Sequence, residues 1–492
     1  MSEYIMAIDQ GTTGTTVLLV DRFGKVAAKG YREFPQVFPQ AGWVEHDPER
    51  IWESTVESIR SALQAGGIGS TDIAAIGITN QRETTLVWDR TTGRPIQNAI
   101  VWQCRRTSDI CRDMKQRGLE PLYRKKTGLV LDPYFSGTKL AWILRNNPEA
   151  ARLAADGRLA FGTVDSFLVW RLTGGAAHVT DVSNASRTLL LDLESLAFDD
   201  ELLEPLGIPR SVLPAVCGNS VVVGRTHGIP NLIDGIPISG MAGDQQSALF
   251  GQACFEPGEG KCTFGTGAFM LVNVGDRPLP SSHGLLTTVA WTHGGQTRYA
   301  FEGSAFIAGA AVQWLRDGLQ IIRVASDIEP LAASVPDSGG VVFVPALTGL
   351  GAPHWRPEAR GALLGITRGT TRGHIARAAL EGIALQNRDI MKAMADDLGG
   401  HLASLRVDGG AAANDLLMQL QADLLGTRVL RPSQVETTGL GAAFLAGLGT
   451  GFWSSLDDVR SVWQLDREFV PSMEPATART LIETWDSAVS RA

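Results

Sequence analysis

A short apolar strand that runs into a glycine–threonine turn and comes back as a second strand occurs twice in this chain, once in each half. Near the start, Tyr4 to Ile8 is apolar and Asp9-Gln10-Gly11-Thr12-Thr13-Gly14 has turn chemistry. Val17 to Val20 then returns, and Asp21-Arg22-Phe23-Gly24-Lys25 turns into a third strand. In the second half, Cys262 to Phe264 runs into Gly265-Thr266-Gly267, and Phe269 to Val274 resumes. Each hairpin has later strands that also end in polar turns. Ile73 to Thr79 ends at Asn80-Gln81-Arg82-Glu83-Thr84, with Leu86-Val87-Trp88 returning, and Ile236 to Ala242 ends at Gly243-Asp244-Gln245-Gln246. Leu402 to Val407 ends at Asp408-Gly409-Gly410, with Asn414 opening a helix from Asp415 to Leu425. Helical spacing marks Pro48 to Ala65 and Tyr134 to Asn146, and Gly439 and Gly441 open a tightly packed helix over Ala442 to Leu448. This element order predicts two similar α/β domains, 1–248 and 249–492, with a cleft between them. The duplication is read from element order, because identity between the halves is weak.

Composition narrows the function classes. A chain of 492 residues has material for two to four domains. Its net charge of −8 and the absence of a lysine–arginine run argue against nucleic acid or anionic lipid as partner. Five cysteines without a CxxC spacing predict small buried side chains, not a disulfide framework or a zinc ribbon. No histidine pair has metalloenzyme spacing. The N-terminus lacks a basic lead into a long apolar run, and no run reaches the ~18–20 apolar residues of a membrane span, so a cytoplasmic location is expected. Glycine is abundant, at 55 residues, which predicts many tight turns or close backbone approaches around a ligand.

Several of the polar turns carry chemistry. Backbone N–H groups in a turn such as Asp9 to Thr13 form a nest for phosphate oxygens, and a carboxylate beside them suits magnesium, a hard ion that takes oxygen ligands. A plain hairpin turn would use the same residues. Two such turns facing each other across a cleft could clamp a triphosphate. Asp408-Gly409-Gly410 offers a third glycine-lined approach, or else a βα turn with Asn414 as cap. There is no P-loop spacing and no protein-kinase motif set. Asp244, at a strand end near the domain junction, can serve as general base or as a helix cap. Arg82 and Glu83 side by side suit a neutral polyhydroxyl ligand, with Trp102 as an apolar wall; the alternative is a surface ion pair beside core aromatics.

Taken together these segments resemble the FGGY carbohydrate kinase family, and within it the members that act on glycerol. The likeness covers nearly the whole chain. It runs through Asp9-Gln-Gly-Thr-Thr13, Gly42 to Pro48, Ile78 to Thr85, Asn98 to Arg106, Asp132 to Lys139, Gly243 to Gln246, Phe264 to Gly267, Gln313 to Asp317, Gly349 to Pro353 and Asp408 to Gly410. The two signature stretches of the family, Tyr134 to Asn146 and Gly361 to Glu381, are also present. The resemblance implies a duplicated actin-like (ribonuclease H-like) ATPase fold with an interdomain cleft. It implies transfer of the γ-phosphate of ATP to a terminal hydroxyl of glycerol, with Mg2+ as cofactor and a homodimer or homotetramer as assembly. Carried over position by position, Arg82, Glu83, Trp102, Tyr134, Asp244, Gln245 and Phe269 would form the glycerol site, with Asp244 as base. Thr12, Thr13, Gly14, Thr266, Gly309, Gln313, Gly410 and Asn414 would hold the nucleotide, and Asp9 would serve magnesium through water.

The chain departs from the family pattern in two places. Thr16 stands where many members have an arginine that helps to hold nucleotide phosphate. Leu232-Ile-Asp-Gly235 stands where members inhibited by fructose 1,6-bisphosphate have Gly-Gly-Thr-Arg, so that regulation is not expected. Two other readings share many of these features. One is a family kinase acting on another polyol or a ketose. The other is a non-catalytic actin-like ATPase, which would need the phosphate turns but not the Arg-Glu, Trp and Asp-Gln set.

Overall fold

A computed structural model describes residues 3–492. The first sheet begins with β1 (Tyr4–Gln10), β2 (Gly14–Val20) and β3 (Val26–Glu33), an antiparallel meander. It continues through β4 (Ile73–Asn80), β5 (Ser220–Arg225) and β6 (Pro237–Gly243), in the order β5-β6-β4-β1-β2-β3. β4 runs parallel to both β1 and β6. The second sheet contains β7 (Gly260–Phe264), β8 (Ala268–Gly275), β9 (Leu286–His293), β10 (Gln296–Ala305), β11 (Ser404–Asp408), β12 (Arg428–Pro432) and β13 (Leu465–Phe469). Its order is β9-β10-β8-β7-β11-β12-β13. Each sheet therefore has an antiparallel trio (β1-β2-β3; β7-β8-β10), two parallel strands beside the trio's first member (β4 and β6; β11 and β12) and an antiparallel edge. The second sheet adds β9 outside β10. The duplicated element order expected from the sequence is present.

Period-two burial explains why the first sheet is covered on both faces. Met6 and Ile8 of β1 join a core with Ile51, Ile59 and Leu63 of helix α1 (Pro48–Gly66). Ile5 and Ala7 face a different core, shared with Leu440, Ala443 and Phe444. Asp47 caps α1 by accepting from the Glu49 N–H at 2.9 Å, proline follows as the first helical residue, and Gly67 at φ 61° ends the helix.

Helices α2 (Ser136–Asn146), α3 (Asp244–Gly251), α4 (Gly309–Asp317), α5 (Arg372–Leu398), α6 (Asp415–Leu425) and α7 (Thr437–Thr450) complete the elements used below. α7 follows the second sheet in sequence but packs on β1, β4 and β6 of the first, and against α3. This is the seam between the halves, and glycines line it. A Cβ on Gly77 would lie 2.1 Å from the Ala442 carbonyl oxygen, and one on Gly240 2.4 Å from the Ala446 nitrogen. Only residues without a side chain let α7 lie this close to the sheet.

Two expectations about elements need correction. Leu86–Asp89 does return as a strand, but it pairs with Leu159–Gly162 in a small sheet of its own, a partner set by long-range packing. α7 starts at Thr437, so Gly439 and Gly441 lie inside the helix. They are tolerated there because they face close neighbours: the Leu18 side chain for Gly439 and the Ser247 backbone for Gly441. The five cysteines are unpaired, and all but the partly exposed Cys217 are buried.

Candidate active site

The parallel strands β1, β4 and β6 end side by side. Gln10 is level with Asn80, and Asn80 with Gly243. Asp9, Arg82, Glu83 and Asp244 are thus delivered to one place, the carboxyl ends of adjacent parallel strands, where open α/β sheets bind ligands. Gln81 ties the ends together, donating from Nε2 to Gln10 Oε1 at 3.0 Å and to the Gly11 carbonyl at 3.2 Å. Gly243 has to be glycine, because a Cβ would sit 2.7 Å from Cγ and Cδ of Arg82.

Asp244 is the first residue of α3, after the N-cap position held by Gly243. Its Oδ1 accepts from the Gln245 N–H at 2.7 Å and lies 3.1 Å from Arg82 Nε, and its side chain keeps 31% exposure. It is therefore not the cap of α3, and one carboxylate face is open to the cleft. Arg82 and Glu83 are not a surface pair: their side chains are 2% and 1% exposed. Their own separation is 3.8 Å, and each has a better partner. Arg82 makes a two-pronged bond to Glu302, Nη1 to Oε2 at 2.5 Å and Nη2 to Oε1 at 3.1 Å. Arg187 donates from Nε to Glu83 at 2.7 Å and from Nη2 to Glu302 at 2.9 Å. Glu83 sits at φ 60°, in the left-handed region that a side chain disfavours, a kind of strain that gathers at binding sites.

An aromatic wall adjoins this cluster. The Trp102 ring centroid is 5.7 Å from that of Tyr134 and 6.5 Å from that of Phe269, both edge to face. Lys261, fully buried, reaches from β7 to Gln245 Oε1 at 2.5 Å, Thr263 Oγ1 at 2.8 Å and the Phe269 carbonyl at 3.3 Å. All seven residues expected around the polyol are joined by these contacts. Trp102 and Tyr134 also line a cavity of about 780 Å³ with Thr266, Phe306 and Leu350, so the wall opens onto the second half of the chain.

The two hairpin tips have the same internal bond, from Gly11 N–H to the Gly14 carbonyl and from Gly265 N–H to the Gly267 carbonyl, each 2.9 Å. Thr12 is linked to the wall, since Trp102 Nε1 donates to its Oγ1 at 3.0 Å. Thr13 accepts on its carbonyl from the Phe34 N–H, and Gly14 admits Tyr31 and Arg32 of β3 where a Cβ would clash at 2.7–2.8 Å. The second tip seats α4: the Gly309 N–H bonds to the Gly265 carbonyl at 3.0 Å, and Gln313 follows one turn on with its side chain exposed. Gly410 and Asn414 lie at the end of β11, which runs beside β7, and the missing Cβ of Gly410 would point into open space. Asn414 caps α6, with Oδ1 accepting from the Leu417 N–H at 2.8 Å.

Charge at the first tip is unbalanced. The Asp9 carboxyl is pushed up to about 7, first by burial and then by Asp244 and Glu436, while Lys29 pulls it back in part. Lys29, on β3, also pairs with Glu436 at the start of α7. Thr16 is the cross-strand neighbour of Asp9 and brings no charge, so Lys29 is the cation acting on Asp9. In the loop where a basic anchor is missing, Asp234 accepts from His227 Nδ1 at 3.0 Å and from the Gly228 N–H at 2.7 Å.

Arg187, Glu302, Lys261, Lys29 and Glu436 did not emerge from the sequence reading. For two of them a signal was present. Glu302 interrupts the apolar run Tyr299 to Ala305, and Lys261 opens the buried run before the second tip. An ionised group in a buried strand needs a partner, and that partner marks a site.

Two halves of like topology, two phosphate-type tips and a buried polar cluster between them define a two-domain α/β small-molecule kinase. Matches to known proteins agree. Residues 4–251 match the N-terminal domain of the FGGY family of carbohydrate kinases and residues 260–450 its C-terminal domain. The chain is 58% identical to a glycerol kinase of Myxococcus xanthus, over 100% of this chain and 99% of that one. A crystal structure of Plasmodium falciparum glycerol kinase with ADP superposes with a TM-score of 0.92 at 37% identity, covering 99% of this chain and 98% of that one. A ligand-bound xylulose kinase of Lactobacillus acidophilus superposes with a TM-score of 0.88 at 25% identity, covering 99% and 97%. The chain belongs to the FGGY family of carbohydrate kinases.

Proposed function

We propose that this chain transfers the γ-phosphate of ATP to a terminal hydroxyl of glycerol, giving glycerol 3-phosphate and ADP. The observation that carries this reading is the convergence of Arg82, Glu83 and Asp244 beside the Trp102–Tyr134–Phe269 wall, with both hairpin tips nearby. Full-length likeness to glycerol kinases supports it. Three polar side chains suit three hydroxyls, and the aromatic wall suits a short carbon backbone. Asp244 accepts the proton of the attacking hydroxyl, that oxygen bonds to the γ-phosphorus, and the bond to the ADP oxygen breaks. Arg82, held to Asp244, orients both carboxylate and alcohol. Thr12, Thr13 and Gly14 on one side and Thr266, Gly309, Gln313, Gly410 and Asn414 on the other receive the nucleotide. In such transfers the protein chiefly positions groups and stabilises charge.

Asp9 fits a magnesium ion. Lys29 offsets only part of what burial, Asp244 and Glu436 do to its carboxyl, and no group of three or more metal-binding side chains occurs among the described residues. A single carboxylate acting through water matches an ion that keeps its waters and binds substrate phosphates. When bound, the ion would neutralise charge on those phosphates. No helix among the described residues is long and apolar enough to cross a membrane. A cytoplasmic location and assembly as a dimer or tetramer belong to the same proposal.

A panel of polyols and ketoses with ATP, read by ADP release, tests the substrate. Turnover that depends on glycerol supports the proposal. A preference for a ketose points to a sister activity, and turnover indifferent to any acceptor points to a non-catalytic actin-like ATPase.

A second test uses pH. The usual Asp value is 3.8, and in the fold Asp9 titrates near 7. Between these values the folded chain binds more protons than the unfolded one. The stability due to protonated Asp9 is therefore full below 3.8 and is lost as pH rises through about 7. Asp9→Asn lacks this loss. Without metal and nucleotide it should gain on the parent between about pH 4 and pH 7, by up to about 4 kcal/mol. Urea unfolding at the two ends of that range measures it. A stability difference that does not change with pH would count against a cation-seeking Asp9.

A further inference from the structure

Glu302 lies in β10, outside both phosphate tips, and its side chain is fully buried. It is also the carboxylate of the buried charge cluster that comes from the second sheet, on β10; Arg82, Glu83 and Arg187 all precede the second hairpin. Both of its oxygens are engaged, Oε2 by Arg82 and Oε1 by Arg82 and Arg187. Burial alone would push its carboxyl up, but Arg187 and Arg82 hold it down at about 2, so it is a permanent anion. The result is a fixed division of the Arg82 fork. Nη1 and Nη2 point to Glu302, with Nη1 also 3.2 Å from Gln246 Oε1, and Nε is left for Asp244. Arg187 repeats the pattern one step on: Nη2 is held by Glu302, and Nε fixes Glu83 Oε1. Its guanidinium lies 5.6 Å from the Tyr134 ring centroid and 5.2 Å from that of Phe135.

We propose that Glu302 and Arg187 are the positioning pair of the polyol site, in which a carboxylate from the second half sets the orientation of Arg82 and Glu83 in the first. The proposal rests on the reading of Arg82, Glu83 and Asp244 as glycerol contacts. Without the anion at 302, the Arg82 guanidinium would find its nearest carboxylate in Asp244 and turn its two-nitrogen face there, closing the pair against glycerol. Arg187 would lose one anchor and Glu83 its fixed rotamer. Substrate recognition would fail although no substrate-contacting residue had changed. The other charged groups facing the cluster, Lys139 beneath the Glu83 carbonyl and Lys261 behind Gln245, are cations and cannot replace the carboxylate of Glu302.

The test is steady-state kinetics of Glu302→Gln in the full chain. Glutamine keeps the shape but sets an N–H donor against a guanidinium. The glycerol KM should rise by about tenfold or more and kcat should fall, while the ATP KM stays within about twofold of the parent. The ratio of kcat/KM for glycerol over 1,2-propanediol should also shrink, because an unfixed Arg82 no longer penalises a missing hydroxyl. Arg187→Lys retains the charge but cannot bridge two carboxylates, and should show the same pattern more weakly. A folded Glu302→Gln with the parent's glycerol KM and selectivity overturns the proposal. If that variant does not fold, Arg187→Lys decides, and an unchanged glycerol KM overturns it. A parent that fails to phosphorylate glycerol overturns the glycerol reading instead.

Discussion

Asp244→Asn should lower kcat by about 10²–10⁴-fold, with glycerol affinity close to that of the parent. Asparagine is isosteric, so Oδ1 can still accept from the Gln245 N–H and from Arg82 Nε. Glycerol would meet the same wall and the same guanidinium. What disappears is the lone pair that takes the alcohol's proton, needed chiefly on the way to the transition state. That separation, kcat lost and binding kept, distinguishes a base from a residue that only shapes the pocket. The change has a second consequence, because Asp244 is one of the anions that hold Asp9 up near 7. Removing that charge should bring the Asp9 carboxyl down and narrow the pH window in which apo stability is lost. Rapid-quench turnover with saturating Mg·ATP, alongside glycerol binding followed by Trp102 fluorescence, measures both parts. Activity within about threefold of the parent would remove Asp244 from the role of base.

What could be read from the sequence was local. Turn chemistry and apolar runs announced both hairpins, because glycine, threonine and aspartate act through their own backbone. The strand ends bearing Arg82, Asp244 and Asp408 were legible for the same reason. Partners were not. Whether Arg82 lay on the surface or inside turned on Glu302, 220 residues away in sequence. Whether Asp244 capped α3 turned on one residue of register, since Gly243 holds the N-cap position. Leu86–Asp89 read as a strand, but its neighbour Leu159–Gly162 could not be named from spacing. These are long-range choices, made by packing and by pairing of buried charge, and a linear pattern carries them only as anomalies. A carboxylate in the apolar run Tyr299 to Ala305 was such an anomaly. The glycine excess was another, and it was read too narrowly. Tight turns and ligand loops account for part of it, but Gly77, Gly240, Gly251 and Gly441 lie in strands and helices at the seam.

The seam gives the largest loss of stability expected. A Cβ at Gly441 would lie 1.8 Å from the Ser247 carbonyl oxygen and 2.6 Å from its carbonyl carbon. Neither atom can rotate away, as both are backbone of α3. Gly441→Ala must therefore part α3 from α7 by more than an ångström or bend one of them. The contact is reciprocal: a Cβ on Gly251 would lie 2.0 Å from the Thr437 carbonyl oxygen. By helix propensity alone the alanine should stabilise by about 1 kcal/mol, since Gly441 lies inside α7. Overpacking of a close-packed contact typically costs about 1–3 kcal/mol, and a clash between two backbones belongs at or beyond the upper end. The net expectation is a loss of about 2 kcal/mol or more, read as a lower urea midpoint at unchanged slope. Function should suffer as well, because α3 begins at Asp244 and α7 follows Glu436. Separating the helices moves the base and an acidic neighbour of Asp9 together, so kcat should fall even where the variant remains folded. Gly399→Ala supplies the control. It ends α5 at φ 69° with open space around it, so it costs backbone strain but displaces no neighbour. If both variants lost stability while only Gly441→Ala lost kcat, helix separation would be the cause. Parent-like kcat in a folded Gly441→Ala would show that the site tolerates movement of the seam.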